Sequence, residues 1–161
     1  MKKIILNPIV LFFLGSMLGI LVKILDFETT NLGNIFSELS IWIFLGVLIA
    51  IYSKNKKQAA LSLFLFCLGS LITYYLTATF YNQSYQDKFI IGWFIFALFS
   101  PLLAVLTWYS KENTLISCFL RIGILIVTLL ASIYLFDGLK IYDILIFILL
   151  IYFLFIKKIK R

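Results

Sequence analysis

Long apolar runs alternate with short polar turns along the chain. An apolar run of about 17 to 25 residues can cross roughly 30 Å of hydrocarbon as an α-helix, which rises 1.5 Å per residue. The pattern predicts six such segments, at residues 8–25, 35–52, 58–81, 89–109, 115–136 and 141–156. Helices are expected because a helix satisfies its own backbone hydrogen bonds in lipid, and the alternating pattern of a membrane β-barrel is missing.

The composition is typical of a chain embedded in lipid. Hydrophobic residues make up 63% and charged residues 13% of the 161 positions, and the mean hydropathy is +1.10. These values lie far outside the usual range of soluble domains, and no polar segment is long enough to form a separate one. The sequence therefore predicts an all-α polytopic membrane helix bundle, with residues 1–161 forming a single integral membrane domain.

The basic residues predict the orientation of this bundle, because short cytoplasmic loops are enriched in lysine and arginine. With both termini in the cytoplasm, Lys23, Lys88 and Lys140 are left outside, and the inner side carries Lys2, Lys3, Lys54, Lys56, Lys57, Lys111, Lys157, Lys158, Lys160 and Arg161. The net charge of +7 has the same origin. We predict contact with the lipid bilayer and no nucleic acid binding, since the basic residues are divided among short turns and tails.

Acidic and amide residues gather on the predicted outer side, with aromatic residues at a similar depth. The polar set comprises Asp26, Glu28, Asn31, Asn34, Glu38, Asp87, Asp137 and Asp143, and the aromatic set Trp42, Tyr85 and Trp93. Carboxylates and aromatic faces both attract cations, so the pattern predicts an outer vestibule for a small polar or cationic solute. The alternative is ordinary loop acidity beside an interfacial aromatic belt.

The third predicted segment carries a stripe of small and hydroxyl side chains at helical spacing. Its members are Ser62, Phe66, Ser70, Thr73 and Thr77. One interpretation is close packing against another helix, and the other is a ligand-lining face. Under the second interpretation, the candidate ligand-binding residues are Glu38, Trp42, Thr73, Tyr74, Thr77 and Trp93.

Two small-xxx-small patterns predict close helix crossings, Gly15-x-x-x-Gly19 in the first segment and Gly46-x-x-x-Ala50 in the second. The pattern leaves open whether these four residues pack inside the bundle, on another subunit or on a second copy.

Arg121 lies within the fifth predicted segment, where an unpaired charge is costly. Its side chain either extends back to the cytoplasmic face or turns into the bundle. In the second case Ser100 offers a partner at a similar depth, beside Pro101, which cannot donate to the carbonyl of Ala97. We hypothesise a buried polar contact between Arg121 and Ser100.

Catalytic and metal chemistry find little support in the sequence. The chain has no histidine, which excludes Ser-His and Cys-His arrangements and histidine metal sites. Cys67 and Cys118 are isolated within apolar segments and are interpreted as apolar filler. No glycine-rich phosphate loop is present. We therefore expect no enzyme activity, no cofactor and no metal.

Short motifs across residues 32–111 resemble an uncharacterised family of small bacterial multi-pass membrane proteins. They are Trp42, Leu45-Gly46, Tyr52-Ser53-Lys54, Ala59-Ala60, Tyr74-Tyr75, Trp93, Ser100-Pro101 and Trp108-Tyr109. The resemblance implies a location in the bacterial plasma membrane and supplies no site residues, because that family is a domain of unknown function.

The architecture is also similar to the substrate-capture subunits of energy-coupling factor transporters. In those subunits the first helix docks on the transport scaffold, and the resemblance implies that docking role for Gly15 and Gly19. The sequence favours a transport-related subunit that binds a small polar or cationic solute from outside. The alternative is an accessory or structural subunit that packs against a larger membrane complex.

Overall fold

The computed structural model describes residues 7–28, 33, 35–36, 38–81, 87–135 and 138–158, and within these ranges the chain is helical without β-strands. The six helices are α1 (Pro8–Glu28), α2 (Leu39–Tyr52), α3 (Lys56–Phe80), α4 (Asp87–Tyr109), α5 (Leu115–Leu135) and α6 (Ile141–Ile151). A π-helical turn, Tyr152–Ile156, continues α6. The all-α prediction is confirmed, and each predicted apolar segment corresponds to one helix.

The helix boundaries differ from the predicted ones mainly at α2. This helix begins at Leu39 instead of residue 35, and Glu38 precedes it with an extended backbone (φ −84°, ψ 142°). A helix cannot extend back through a residue held in that conformation. The predicted end of the fifth segment, Phe136, lies outside the described residues.

Helix length separates the six helices into two groups. Four segments are long and apolar enough to cross a membrane, namely Pro8–Phe27, Lys56–Phe80, Ile90–Tyr109 and Leu115–Leu135. The apolar segments Leu39–Tyr52 and Ile141–Ile156 are shorter. At helical rise, α2 is only about 21 Å long, well below the hydrocarbon thickness of a typical bilayer.

Successive helices run in opposite directions, so the bundle has two ends. Contacts between the helix ends define them: the indole of Trp108 donates to the carbonyl of Ser53 at 3.1 Å at one end, and the hydroxyl of Tyr74 donates to Asp26 at 3.1 Å at the other. We call the end where α2, α4 and α6 begin the Glu38 end. The opposite end, which includes the turn between α4 and α5, is the Arg121 end.

Helix α2 lies at the centre of the bundle. It contacts α3, α4, α5 and α6, whereas α1 packs mainly along α3. The buried apolar residues form two clusters, one centred on Phe66 and Ala50 and the other on Ile51 and Leu150. Each cluster packs one side of α2, so the helix is held between the two clusters.

The contact between α1 and α3 is built on glycine and hydroxyl residues. A Cβ atom added at Gly15 would lie 2.2 Å from the carbonyl oxygen of Phe66, and one at Gly19 would lie 2.2 Å from that of Ser70. In return, Ser70 donates to the carbonyl of Gly15 at 2.9 Å, and Thr73 donates to that of Ser16 at 2.8 Å. Both glycines therefore serve packing within this chain.

The second glycine pattern is also internal. A Cβ atom at Gly46 would lie 3.3 Å from the side chain of Leu63, and Ala50 is fully buried in the first cluster. The four positions interpreted as helix-docking residues thus contact helices of the same chain.

The surface of the bundle is strongly apolar. Large exposed side chains occur on every long helix, for example Met17, Leu61, Phe99, Phe119 and Ile126. Water would disfavour an apolar surface of this extent, whereas lipid is its natural solvent. The surface therefore agrees with the membrane class that the four long helices indicate.

Candidate functional site

The amino-terminal ends of the two short helices lie side by side at the Glu38 end. The hydroxyl of Ser40 in α2 donates to Asp143 Oδ1 in α6 at 2.6 Å, and both residues are buried. Asp143 Oδ2 accepts the backbone N–H of Lys140 at 3.1 Å. A carboxylate three residues into a helix commonly caps the helix start in this way. The bond to Ser40 joins that cap to α2.

Glu38 is the most buried acidic side chain among the described residues, with 1% of its surface exposed. Its Oε1 atom accepts hydrogen bonds from the ammonium of Lys140 and, at 2.6 Å, from the hydroxyl of Tyr142. Its Oε2 atom is also buried and has no hydrogen-bond partner among the described residues. Among the described residues it is the one buried side-chain nitrogen or oxygen atom without a partner. Such an atom is unusual, because buried carboxylate oxygens are nearly always hydrogen-bonded.

The charges of the described residues around Glu38 are unequal. Glu38 and Asp143 contribute two carboxylates, whereas Lys140 contributes one ammonium. The amino-terminal dipoles of α2 and α6 and the hydroxyl of Ser40 offset part of the remaining negative charge. The hydrogen bonds to Glu38 and Tyr142 raise the pKa of Lys140, which precedes α6. The lysine therefore remains a cation.

The ion pair lies between the interior and the surface of the protein. The Lys140 side chain is 43% exposed, whereas that of Glu38 is 1% exposed. The carboxylate is therefore fixed inside the bundle, and the ammonium reaches it from outside through a flexible four-carbon stem.

The short α2 places Glu38 below the end of one neighbouring helix, α3. The rings of Trp42 and Phe66 lie 6.3 Å apart, which puts these two residues at a similar height in the bundle. From that height α3 continues for about 21 Å to Phe80, whereas α2 continues for only about 4.5 Å to its start at Leu39. The start of α2, where Glu38 lies, is therefore set back from the end of α3 by about 16 Å.

A second polar cluster joins α1 to α3 at the same end. The ammonium of Lys23 lies 2.8 Å from Asp26 Oδ2, which also accepts the hydroxyl of Tyr74 at 3.1 Å. Lys23 also lies 5.1 Å from the centre of the Tyr74 ring. Lys23 is buried, and its charge is balanced by Asp26 within the cluster. This arrangement has the features of a structural cross-link between two helices.

The two tryptophans of the predicted site contact each other. The rings of Trp42 and Trp93 are 5.9 Å apart and meet edge to face, and the indole of Trp42 donates to the carbonyl of Phe36 at 2.8 Å. An edge-to-face pair with its polar atom bonded is well fixed in orientation. These residues pack α2 against α4 close to the start of α2.

The other candidate ligand residues are used in packing. Thr73 donates to α1, Thr77 donates to the carbonyl of Thr73 at 2.7 Å, and Tyr74 donates to Asp26. Of the predicted outer acidic set, Asn31, Asn34 and Asp137 lie outside the described residues, as do the aromatic Tyr85 and the side chains of Glu28 and Asp87. The structure thus places the six candidates at one end of the bundle, but it does not gather them into one contact cluster.

The proposed contact between Arg121 and Ser100 is wrong. The guanidinium donates to the carbonyl of Ser110 at 2.6 Å and to that of Glu112 at 3.2 Å, in the turn at the Arg121 end. The hydroxyl of Ser100 donates to the carbonyl of Ala97 at 2.7 Å. This bond replaces the N–H that Pro101 lacks, so the proline leaves no acceptor for a distant arginine. The alternative, in which Arg121 extends back to the turn, describes the contacts observed.

Glu38, Ser40, Lys140, Tyr142 and Asp143 together form the Glu38 cluster. Sequence reasoning did not assign three of its members, Ser40, Lys140 and Tyr142, to a site. The sequence pattern identified Lys140 and Asp143 only as charged residues of the predicted outer side. One signal was available: the two shortest apolar segments both begin at this side, each with a carboxylate within the first few residues. A helix shorter than the hydrocarbon layer leaves at least one end below the surface, where a charge needs a partner.

Comparison of the chain with protein-family models, with curated proteins and with solved structures gives no match. The class of the protein therefore follows from the chain alone: a helical bundle with four helices long and apolar enough to cross a membrane.

Proposed function

We propose that this chain is a non-enzymatic, transport-related subunit of a bacterial plasma membrane, and that it binds a small cationic solute from the outer side. In this proposal all six helices cross the membrane, both termini are cytoplasmic, and the Glu38 end faces outward. The excess of basic residues at the Arg121 end supports this orientation.

The observation that carries the proposal is the buried carboxylate of Glu38. In a bilayer about 30 Å thick, a central helix of about 21 Å cannot reach both surfaces, and the start of α2 is the end that is set back from its neighbour α3. Charged side chains at such depth are rare and commonly mark solute or ion pathways. Glu38 has one oxygen bonded to a partly exposed cation and one buried oxygen without a described partner. A cationic donor arriving from the Glu38 end can bond to this second oxygen and pair with the carboxylate charge in place of the lysine.

The proposal is tested by a binding screen on the purified protein in lipid nanodiscs. The panel contains ammonium, ethylammonium, guanidinium, choline and putrescine, each at constant ionic strength. We expect at least one cation to bind wild type saturably and to lose at least tenfold in affinity with Glu38→Gln. This variant keeps the shape of the side chain and removes its charge.

Two results would contradict the solute-binding proposal. One is that no member of the panel binds; the other is that binding is unchanged in Glu38→Gln. If the protein then co-purifies from its native membrane in a fixed ratio with a larger complex and without solute, the accessory role is favoured instead.

The proposed orientation gives a separate prediction. In a background with Cys67→Ser and Cys118→Ser, Lys54→Cys and Leu139→Cys place single thiols at exposed positions of opposite ends. We expect a membrane-impermeant maleimide to label Leu139→Cys in intact cells and Lys54→Cys only after permeabilisation. Labelling of Lys54→Cys alone in intact cells would indicate the opposite orientation. Labelling of both thiols in intact cells would contradict a membrane-spanning bundle.

A further inference from the structure

Lys140 already supplies a cation to the candidate site, because its ammonium is bound to the Glu38 carboxylate. The Lys140 ammonium occupies Oε1 of Glu38 together with the hydroxyl of Tyr142, whereas Oε2 remains without a described partner. A second cation beside Lys140 would be repelled by the ammonium. Any cation that binds Glu38 must therefore replace Lys140 rather than join it.

We propose that Lys140 is a tethered competitor for the Glu38 carboxylate, and that the ligand is a primary ammonium compound that displaces it. This inference rests on the proposed function and names its ligand class. In the exchange the ligand ammonium takes the place of the lysine ammonium at Oε1. The lysine side chain moves into the solvent or headgroup layer that it already partly reaches. One positive charge enters and one leaves, so the buried charge is unchanged.

The two acceptor oxygens of Glu38 explain why a primary ammonium is favoured. Glu38 offers two acceptor oxygens, and Lys140 bonds to only one of them. A primary ammonium has three N–H donors and is not tied to α6, so it can donate to both oxygens. A quaternary ammonium has the same charge but no N–H donor, and it would leave Oε2 unsatisfied. The ligand thus gains a hydrogen bond that the lysine does not make.

The exposure of the pair allows the exchange. Glu38 is 1% exposed and held by the start of α2, whereas the Lys140 side chain is 43% exposed. The backbone of Lys140 is fixed separately, because its N–H donates to Asp143. The ammonium can therefore leave the carboxylate while the start of α6 stays in place.

The test measures ethylammonium binding by saturation-transfer NMR in nanodiscs, with tetramethylammonium as the charge-matched probe without N–H donors. We expect Lys140→Met to bind ethylammonium at least tenfold more tightly than wild type, because the competitor is gone. Tetramethylammonium should not bind saturably to either protein. Lys140→Met with Glu38→Gln should bind neither probe.

Lys140→Arg provides a second variant with the opposite expectation. A guanidinium can donate to both carboxylate oxygens, so it competes more strongly and also satisfies Oε2. We expect ethylammonium to bind this variant at least tenfold more weakly than wild type. The variant keeps the ion pair, so it remains informative if Lys140→Met fails to fold.

Failure of this inference is distinct from failure of the proposed function. If ethylammonium or another panel member binds in a manner that depends on Glu38, but neither lysine variant changes its affinity, Lys140 is a structural partner and the exchange is wrong. Equal binding of ethylammonium and tetramethylammonium would contradict the preference for N–H donors. Absence of any binding that depends on Glu38 would overturn both.

Discussion

Gly15→Ala and Gly19→Ala should each destabilise the bundle, whereas Gly92→Ala and Gly123→Ala should not. At Gly15 and Gly19 the added Cβ would lie 2.2 Å from a backbone carbonyl oxygen of α3. At Gly92 in α4 and Gly123 in α5 it would meet nothing within 4 Å. All four substitutions are the same chemical change within a helix, so the control positions remove the effect of helix propensity.

The size of the effect follows from the rigidity of the obstacle. A backbone oxygen cannot rotate away as a side chain can, so α1 and α3 must separate along their contact. Overpacking of this kind costs about 1 to 3 kcal/mol per site, and exposed glycine-to-alanine changes in helices are neutral or stabilising by up to about 1 kcal/mol. Separation would also lengthen the bonds from Ser70 and Thr73 to α1.

The measurement is the free energy of unfolding of each variant in mixed micelles during an SDS titration, followed by circular dichroism. The double variant should lose less than the sum of the two single losses, because both residues lie on one interface and a single separation relieves both clashes. Equal stability of all four single variants would show that α1 does not approach α3 as closely as the structure has it.

The helices of this protein were predictable because each depends on local sequence. Apolar runs of sufficient length, bounded by turns such as Ser53 to Asn55, define α2 and α3 without knowledge of any partner. The main boundary error, at α2, has a local cause as well. Glu38 was included in the helix because the apolar run was too short alone, yet its backbone is extended and the helix begins only after it, at Leu39.

The contacts of the candidate site were not predictable to the same extent, because they join residues far apart in the sequence. Glu38 meets Lys140 and Tyr142 over more than one hundred positions, and the same is true of Ser40 and Asp143. A hydrophobicity pattern gives the depth of a residue but not the helix that it faces. Depth alone placed Arg121 opposite Ser100, whereas the arginine side chain extends back along α5 to the preceding turn.

The hydroxyl stripe of α3 is a second case in which the sequence pattern indicated a position but not a contact partner. Its spacing correctly indicated one face of a helix, and packing and ligand binding both remained open. Ser70 and Thr73 donate to α1, and Thr77 donates within α3. The packing interpretation therefore describes what this face does in the structure.

Asp143→Leu should be the second strongly destabilising change, for two separate reasons. It removes the acceptor for the Lys140 N–H at the start of α6, a loss of about 1 kcal/mol for a helix cap. It also leaves the buried hydroxyl of Ser40 without its acceptor, which costs about 1 to 3 kcal/mol. Together these give an expected loss of about 2 to 4 kcal/mol in the free energy of unfolding.

The double variant Ser40→Ala with Asp143→Leu separates these two contributions. Removing the hydroxyl removes the unsatisfied donor, so the double variant should recover the part of the loss due to Ser40. The part due to the helix cap should remain, because alanine at position 40 does nothing for the N–H of Lys140. The same SDS titration measures both variants, and Ser40→Ala alone completes the cycle.

The loss of the helix cap in Asp143→Leu also affects the candidate site. Asp143 fixes the backbone from which Lys140 reaches Glu38, so a frayed start of α6 weakens the ion pair as well. We therefore expect Asp143→Leu to strengthen ethylammonium binding in the same direction as Lys140→Met, and Asp143→Asn to have a smaller effect because its amide oxygen can still accept one bond. Loss of stability without any change in ethylammonium binding would show that the start of α6 supports the fold but does not position the competing lysine.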